Sequence, residues 1–377
     1  MARLSVAFEV DSYCKVERDT EYFIFLLPLR ILASLIIASM DITIRASCHC
    51  KSASYTYTLP ASCFPLKSSI CNCNSCRHVT GQLAASFAVI PSATRPDVSR
   101  LSSYASSDHL TRYFCPRCGA QVATFDTEEW EFCSGILNDT RELLNRVQLW
   151  VADTRDGGLS AWLSEIGSER ATRYLEARDS EEATEEMFSQ WSKRAAKVDE
   201  GTKKTAGEDR LYGSCHCKGV EFYITRPSGE PRGHHESGKW WLGDDGRRYT
   251  AYLETDESCR LTTGFEFSSW LVIPRIIIFG THGAPFDIRA STLQQYDSSP
   301  GVHRYFCGGC GASAFYRSDS RILDIWDIAV GLLWSDRGAG AQDWLEWRTE
   351  VNFIEEATDA NLANSLADGL KASFPSS

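Results

Sequence analysis

The sequence has little positive charge to offer a nucleic acid. It contains 39 Lys and Arg residues against 50 Asp and Glu, which gives a net charge of −11 at pH 7. Binding to a phosphate backbone depends on an excess of positive charge at the protein surface. The composition therefore predicts no nucleic-acid partner. With 377 residues, 43% of them hydrophobic, the chain is long enough for two domains with their own cores.

Long apolar runs are also scarce, and the clearest one, residues 22–39, contains a proline and an arginine. It is barely long enough for a membrane helix. The preceding residues 1–21 carry three basic and five acidic groups, the wrong charge for the start of a signal peptide. Residues 1–39 leave three alternatives: translation that begins at Met40, a membrane or targeting segment, or a helix packed against the first domain.

Isolated cysteines of the kind that build disulfide frameworks are few. Most of the 15 cysteines lie one or two residues from another, close enough for one ion to bind both. This spacing favours metal binding over disulfides and implies a reducing compartment. We therefore expect a cytoplasmic protein, with membrane attachment through the N-terminal segment as the minor alternative.

Seven cysteines in the first third of the chain form two sets of potential ligands. Four thiolates complete a tetrahedral structural zinc site, whereas three leave a position for water or a substrate. The sequence therefore predicts one structural zinc and one open zinc site. The structural set, here called the first clamp, consists of Cys48, Cys50, Cys115 and Cys118. The open set, here called the three-cysteine site, consists of Cys71, Cys73 and Cys76.

The three-cysteine site has alternatives that its spacing leaves open. A fourth ligand would close it and make it structural, and a site without metal is the remaining possibility. The candidate fourth ligands are Cys63, Cys133, His78 and His109.

A second, reduced set of ligands follows later in the chain. Four cysteines repeat the spacing of the first clamp and predict a second structural zinc; this second clamp consists of Cys215, Cys217, Cys307 and Cys310. The positions that align with the three-cysteine site hold Glu254, Asp256 and Cys259, here called the carboxylate site. Loss of the reactive site is the simpler interpretation, although an inserted loop offers His234, His235 and Glu236 as further ligands.

Three ordered blocks of matching sequence predict an internal duplication. RASCHC from Arg45 aligns with YGSCHC from Tyr212, and RYFCPRCG from Arg112 aligns with RYFCGGCG from Arg304. The middle blocks contain the three-cysteine and carboxylate sites. Short apolar runs that end in Pro, such as QLAASFAVIP and FEFSSWLVIP, indicate strands.

We therefore predict a mainly β protein of two zinc-clamped domains with a helical linker and a C-terminal helix. The predicted divisions are 1–39 (uncertain apolar segment), 43–165 (first unit), 166–210 (helical and polar linker), 211–350 (second unit) and 351–377 (C-terminal helix and tail).

Histidines and arginines beside the ligands have simpler interpretations than catalysis. His49 and His216 lie between ligand cysteines and are expected to face away from the metal. Four arginines recur in both units and are expected to donate hydrogen bonds to zinc thiolates, with binding of substrate carboxylates as the alternative. They are Arg77, Arg112, Arg260 and Arg304.

The pattern CxC, CxCxxCR and RxFCxxCG resembles the glutathione-dependent formaldehyde-activating enzyme family, which also includes centromere protein V. SCHC, CNCNSCRHVTG and RYFCPRCG carry the resemblance in the first unit, and SCHC, SCRLTTG and RYFCGGCG carry it in the second. The resemblance implies β-tent domains and carbon–sulfur lyase chemistry. It also implies that the first clamp is structural and that the three-cysteine site holds a catalytic zinc. Glu254 and Asp256 depart from the family pattern.

The family chemistry would join glutathione, or a similar small thiol, to a small aldehyde, with S-hydroxymethylglutathione as the adduct. An open zinc position would favour the thiolate of the bound thiol, whose pKa is otherwise near 8.5. No general base stands out in the sequence. The main alternative is a non-catalytic, zinc-stabilised binding or scaffold module, since the second unit has lost two of its three cysteines.

Overall fold

A computed structural model describes residues 41–91, 95–196, 209–227, 240–321 and 323–374. The apolar N-terminal segment and the inserted His234, His235 and Glu236 lie outside the described residues. Within these ranges, no helix is both long and apolar enough to span a membrane.

The first unit consists of short strands around a seven-stranded sheet. A separate hairpin, β1–β2, forms where the sequence SYTYTLP alternates exposed and partly buried residues. The strands of the first unit are β1 (Asp41–Ser47), β2 (Ser54–Pro60), β3 (Leu66–Cys71), β4 (Ala85–Ile90), β5 (Ser102–Ala105), β6 (Thr111–Phe114), β7 (Gln121–Phe125), β8 (Trp130–Cys133) and β9 (Leu144–Leu149). A small hairpin follows, formed by β10 (Glu165–Ile166) and β11 (Glu169–Arg170).

The second unit repeats this arrangement with a larger first sheet. Its strands are β12 (Arg210–Ser214), β13 (Glu221–Thr225), β14 (Tyr249–Glu254), β15 (Ser268–Pro274), β16 (Ile278–Phe279), β17 (Leu293–Ser299), β18 (Val302–Cys307), β19 (Ser313–Ser318), β20 (Ile325–Ala329), β21 (Leu333–Trp334) and β22 (Leu345–Asn352). Here the first hairpin, β12–β13, belongs to a four-stranded sheet of order β16-β13-β12-β21.

The two large sheets have the same strand order. In the first unit it is β5-β6-β7-β8-β4-β3-β9, and in the second it is β17-β18-β19-β20-β15-β14-β22. Each sheet ends in one parallel pair, β3 with β9 and β14 with β22. The mainly β prediction is confirmed, and the domain boundaries stay predictions.

Four helices lie within the described residues: α1 (Asn74–Thr80), α2 (Glu185–Ala196), α3 (Glu257–Thr263) and α4 (Ala360–Ser373). The two short ones, α1 and α3, carry Cys76 and Cys259. Each begins at a side chain that accepts a hydrogen bond from the backbone, the thiol of Cys73 and the carboxylate of Asp256. Each ends at a glycine with positive φ, where a side chain would be strained.

The two units pack against each other along a seam, where residues of both belong to one buried hydrophobic cluster. Ile70, Val79 and Leu83 of the first unit lie in the same buried cluster as Trp270 and Trp326 of the second.

Backbone hydrogen bonds cross the seam in matched pairs. The His216 amide donates to the carbonyl of His78 at 2.9 Å, and the His49 amide donates to the carbonyl of Leu261 at 3.0 Å. The units are therefore parts of one packed body, and the ligand helices α1 and α3 both lie at their interface.

Candidate metal centre

The first clamp brings two distant cysteine pairs together. Cys48 Sγ lies 3.6 Å from Cys50 Sγ, which in turn lies 3.5 Å from Cys115 Sγ. All four ligand atoms lie within 4.8 Å of one another. The Ala53 amide points at Cys48 Sγ from 3.4 Å, as expected for a turn that wraps around a bound thiolate.

The second clamp has the same geometry. Cys215 Sγ lies 3.5 Å from Cys217 Sγ and 3.7 Å from Cys307 Sγ, and the Val220 amide points at Cys215 Sγ from 3.3 Å. Its four ligand atoms also lie within 4.8 Å of one another.

The clamp geometries fit tetrahedral zinc. A zinc–sulfur bond of about 2.3 Å places the sulfurs of a tetrahedron roughly 3.8 Å apart, close to the separations seen in both clamps. The proximity of the thiols also pushes their pKa values apart. Hydrogen bonds with Cys118 and Cys48 lower the pKa of Cys115, and hydrogen bonds with its neighbours raise that of Cys118. A divalent cation would offset part of the negative charge of such a thiolate cluster.

The three-cysteine site lies at the start of helix α1. Its sulfur atoms are within 4.8 Å of one another, and Cys71 and Cys76 are buried while Cys73 is partly exposed. The Cys76 amide donates to Cys73 Sγ at 3.2 Å. Three thiols at this separation can bind one zinc ion, and the partial exposure of Cys73 places the cluster near the surface.

A buried arginine supplies positive charge to this site. Arg112, 1% exposed, donates from Nη2 to Cys76 Sγ at 3.2 Å and from Nε to Ser106 Oγ at 3.0 Å. Hydrogen bonds from Cys71 and Cys73, reinforced by this guanidinium, hold the pKa of Cys76 well below its usual range.

None of the proposed fourth ligands joins the three-cysteine site in the part of the chain that the structure describes. Cys133 comes nearest, because it packs in the same apolar cluster as Cys71 and Cys76. His78 turns the other way, and its Nδ1 lies 2.9 Å from the carbonyl oxygen of Ser214 in the second unit. His109 is exposed, and Cys63 packs in the core beside the first clamp.

The carboxylate site occupies the matching place at the start of α3. Its three ligand atoms also lie within 4.8 Å of one another. Glu254 Oε1 accepts from Trp270 Nε1 at 2.7 Å, and Cys259 Sγ accepts from Arg304 Nη1 at 3.0 Å. Arg304 therefore plays the role in the second unit that Arg112 plays in the first.

Glu254 makes the stability of the protein depend on pH. Burial, followed by the nearby Asp256, raises its pKa from 4.5 to about 8. Since the folded state holds this proton more tightly, stability is lost as the pH rises from about 4.5 to 8. At about 1.4 kcal/mol per pKa unit, the free energy of unfolding of Glu254→Gln relative to wild type should increase by about 2–4 kcal/mol from pH 5 to pH 9. Urea unfolding at the two pH values measures this change. An equal difference at both pH values would indicate that a cation neutralises Glu254 instead.

The histidines and arginines that flank the cysteines contact partners that the sequence does not reveal. His49 Nδ1 lies 2.7 Å from Tyr296 Oη, and His216 Nδ1 lies 2.7 Å from Tyr104 Oη, so both histidines reach into the opposite unit. Arg77 and Arg260 do not donate to thiolates within the described residues.

These two arginines instead donate to backbone carbonyls across the seam, Arg77 to Leu333 and Arg260 to Leu137. No sequence pattern within one unit signals these contacts. The only hint is that the same residues recur in both units.

Fold and ligand geometry together define a mainly β protein with cysteine clusters suited to zinc. Residues 43–153 match the model of one protein family, described as glutathione-dependent formaldehyde-activating enzyme. This stretch contains all seven cysteines of the first clamp and the three-cysteine site. The resemblance is thereby confirmed for the first unit, and the duplication stays a prediction. No curated protein and no solved structure matches the chain significantly.

Proposed function

We propose that the first unit forms or cleaves the adduct of a small thiol and a small aldehyde, such as S-hydroxymethylglutathione, at the three-cysteine site. The observation that carries the proposal is a cluster of three thiols, partly exposed at Cys73, inside the stretch that matches the family model. Family members handle glutathione and formaldehyde in general, and a reducing, cytoplasmic compartment would supply both the thiol and reduced ligands.

The three-cysteine site would hold zinc through Cys71, Cys73 and Cys76. When bound, the ion would supply positive charge that lowers the pKa of a substrate thiol. Arg112 limits the negative charge of the cluster through its bond to Cys76. The addition of the thiol to the aldehyde needs no oxidant, because no atom leaves and the electrons stay within the adduct. The substrate sulfur bonds to the carbonyl carbon, the π electrons move to oxygen, and the thiol proton ends on that oxygen.

The second unit supports a different role. Its strand order equals that of the first unit, which supports an internal duplication, and its second clamp repeats the first. Its carboxylate site lacks the thiolates on which the proposed chemistry depends. We infer that the second unit retains the clamp and the fold without the reaction. A wholly non-catalytic, scaffold-like protein is the competing function, and it predicts no rate acceleration.

A pair of matched variants tests the proposal. Cys76→Ser removes a ligand of the three-cysteine site, and Cys259→Ser changes the equivalent residue of the second unit. Wild type should contain three zinc ions per chain and accelerate adduct formation between glutathione and formaldehyde. Cys76→Ser should contain two and lose about 100-fold or more of the acceleration, because removal of a metal ligand removes the site. Cys259→Ser should keep both properties.

The measurements are elemental analysis of protein purified without chelators and the rate of adduct formation above the spontaneous rate. Full zinc content and full activity in Cys76→Ser would overturn the assignment. Two zinc ions in wild type, with no acceleration, would favour the scaffold function.

A further inference from the structure

Phe265 of the second unit lies beside the three-cysteine site, on the side of the seam. We propose that the second unit acts as a built-in partner subunit that completes this site, with Phe265 as its apolar wall. The inference rests on the proposed function only in treating the three cysteines as a metal site.

Phe265 crosses the seam into the first unit. It follows Gly264, the residue that ends helix α3, and it is fully buried. Its neighbours there are Cys71, Cys76, Phe87 and Cys133. The Phe265 and Phe87 rings meet edge to face, with centroids 6.1 Å apart. A ring from the second unit thus joins Phe87 of the first unit in the apolar cluster that contains Cys71 and Cys76.

Contacts with the first unit also hold the backbone at Phe265 in place. The Gly135 amide donates to the carbonyl of Gly264 at 3.0 Å. A side chain at Gly135 would collide with the Phe265 backbone. Arg260 of helix α3 also donates to the carbonyls of Gly135 and Leu137. The wall is therefore held in place by the unit whose site it covers.

Helix α1, which carries Cys76, is held by the second unit as well. Besides the bond from the His216 amide to the carbonyl of His78, Arg77 Nη2 donates to the carbonyl of Leu333 at 3.2 Å. The His78 ring stacks on Trp334 with centroids 3.8 Å apart. Both the wall and the ligand helix of the three-cysteine site thus depend on the second unit.

The reciprocal position in the first unit holds a polar residue, Gln82. Gln82 follows Gly81 at the end of α1 as Phe265 follows Gly264, and it is also fully buried. It crosses into the second unit, where its Oε1 accepts from the Ser269 amide at 2.8 Å. The seam thus contributes an aromatic ring to the thiol site and an amide to the second unit. This asymmetry favours an apolar environment for the thiolates and the exclusion of water from their seam side.

Phe265→Ala tests the wall, with Gln82→Ala as the control at the reciprocal position. Residues that support a metal site from outside its ligands typically change metal affinity about 10- to 100-fold. We therefore expect one of the three zinc ions of Phe265→Ala to pass to a chelator about 10- to 100-fold faster than in wild type. The other two should leave at the wild-type rate, and Gln82→Ala should release all three as wild type does.

A second readout does not require metal at the three-cysteine site. In reduced protein from which a chelator has removed only this one zinc ion, alkylation of Cys73 should be faster in Phe265→Ala than in wild type and unchanged in Gln82→Ala. If Phe265→Ala does not fold, Phe265→Leu removes the ring at smaller cost and should show the same changes in direction. Wild-type rates of zinc release and alkylation in a folded Phe265 variant would overturn the inference, as would equal effects in Gln82→Ala. If a variant lost only the acceleration of adduct formation, the result would bear on the proposed function and not on this inference. Neither zinc release nor alkylation measures the reaction.

Discussion

Replacing Cys310 with serine is expected to remove one zinc ion per chain and to lower the free energy of unfolding by about 5 kcal/mol or more. Structural zinc sites couple their binding free energy, roughly 10–16 kcal/mol in zinc-finger peptides, to folding. Cys310 is fully buried and belongs to the core cluster that both units share. Loss of the second clamp should therefore destabilise the whole chain. Elemental analysis and urea unfolding measure the two effects.

Cys63→Ser provides the matched control, since this cysteine is partly exposed and belongs to no ligand group of the described chain. It should keep the wild-type zinc content and change stability by less than about 1 kcal/mol. If Cys310→Ser kept the wild-type zinc content, the second clamp would not be a zinc site.

Replacing Arg146 with alanine is expected to cost about 3–5 kcal/mol, because it leaves two buried carboxylates without a counter-charge. Arg146 of the first unit donates to Glu266 Oε1 of the second at 2.6 Å and to Asp359 Oδ2 at 2.7 Å. All three side chains are at most 5% exposed. Burial alone would raise the pKa of Glu266, but Arg146 and two hydroxyl donors hold it below its usual value.

Arg141→Ala is the control for charge removal alone. Its partner Asp139 lies 3.8 Å away, and both side chains are more than half exposed. Exposed pairs of this kind contribute little, so the change in unfolding free energy should stay below about 1 kcal/mol. A loss of less than 1 kcal/mol in Arg146→Ala would mean that the buried carboxylates have another source of compensation.

The grouping of the cysteines was predictable because the decisive signal is local. Cysteines one or two residues apart limit the geometry to a few turns, and the repeat of CxC and CxxC in both units indicates which pairs belong together. The alternation in SYTYTLP and the apolar run SFAVI likewise indicate strands from short-range pattern alone. The mainly β class followed from the same local signals.

The seam was not predictable, because its residues carry no pattern within their own unit. Phe265 looks like an ordinary core phenylalanine, and Gln82 like a polar residue after a turn. Their positions depend on how two complete units pack, and that packing is decided by contacts far apart in sequence. Arg77 was expected to donate to thiolates because cysteines lie beside it in the sequence. Its observed partner, the carbonyl of Leu333, is 256 residues away.

That separation has a consequence for how the protein is made. At roughly 5–20 residues per second, a ribosome takes on the order of 10–50 s to synthesise the 256 residues between Arg77 and Leu333. In the later part of this interval, after residue 165, the first unit is complete in sequence, while Phe265 and then Leu333 have still to be made. In this period the second unit does not yet enclose its thiols. Arrival of the second unit closes the seam, so Phe265 covers the three cysteines only after the first unit has been made.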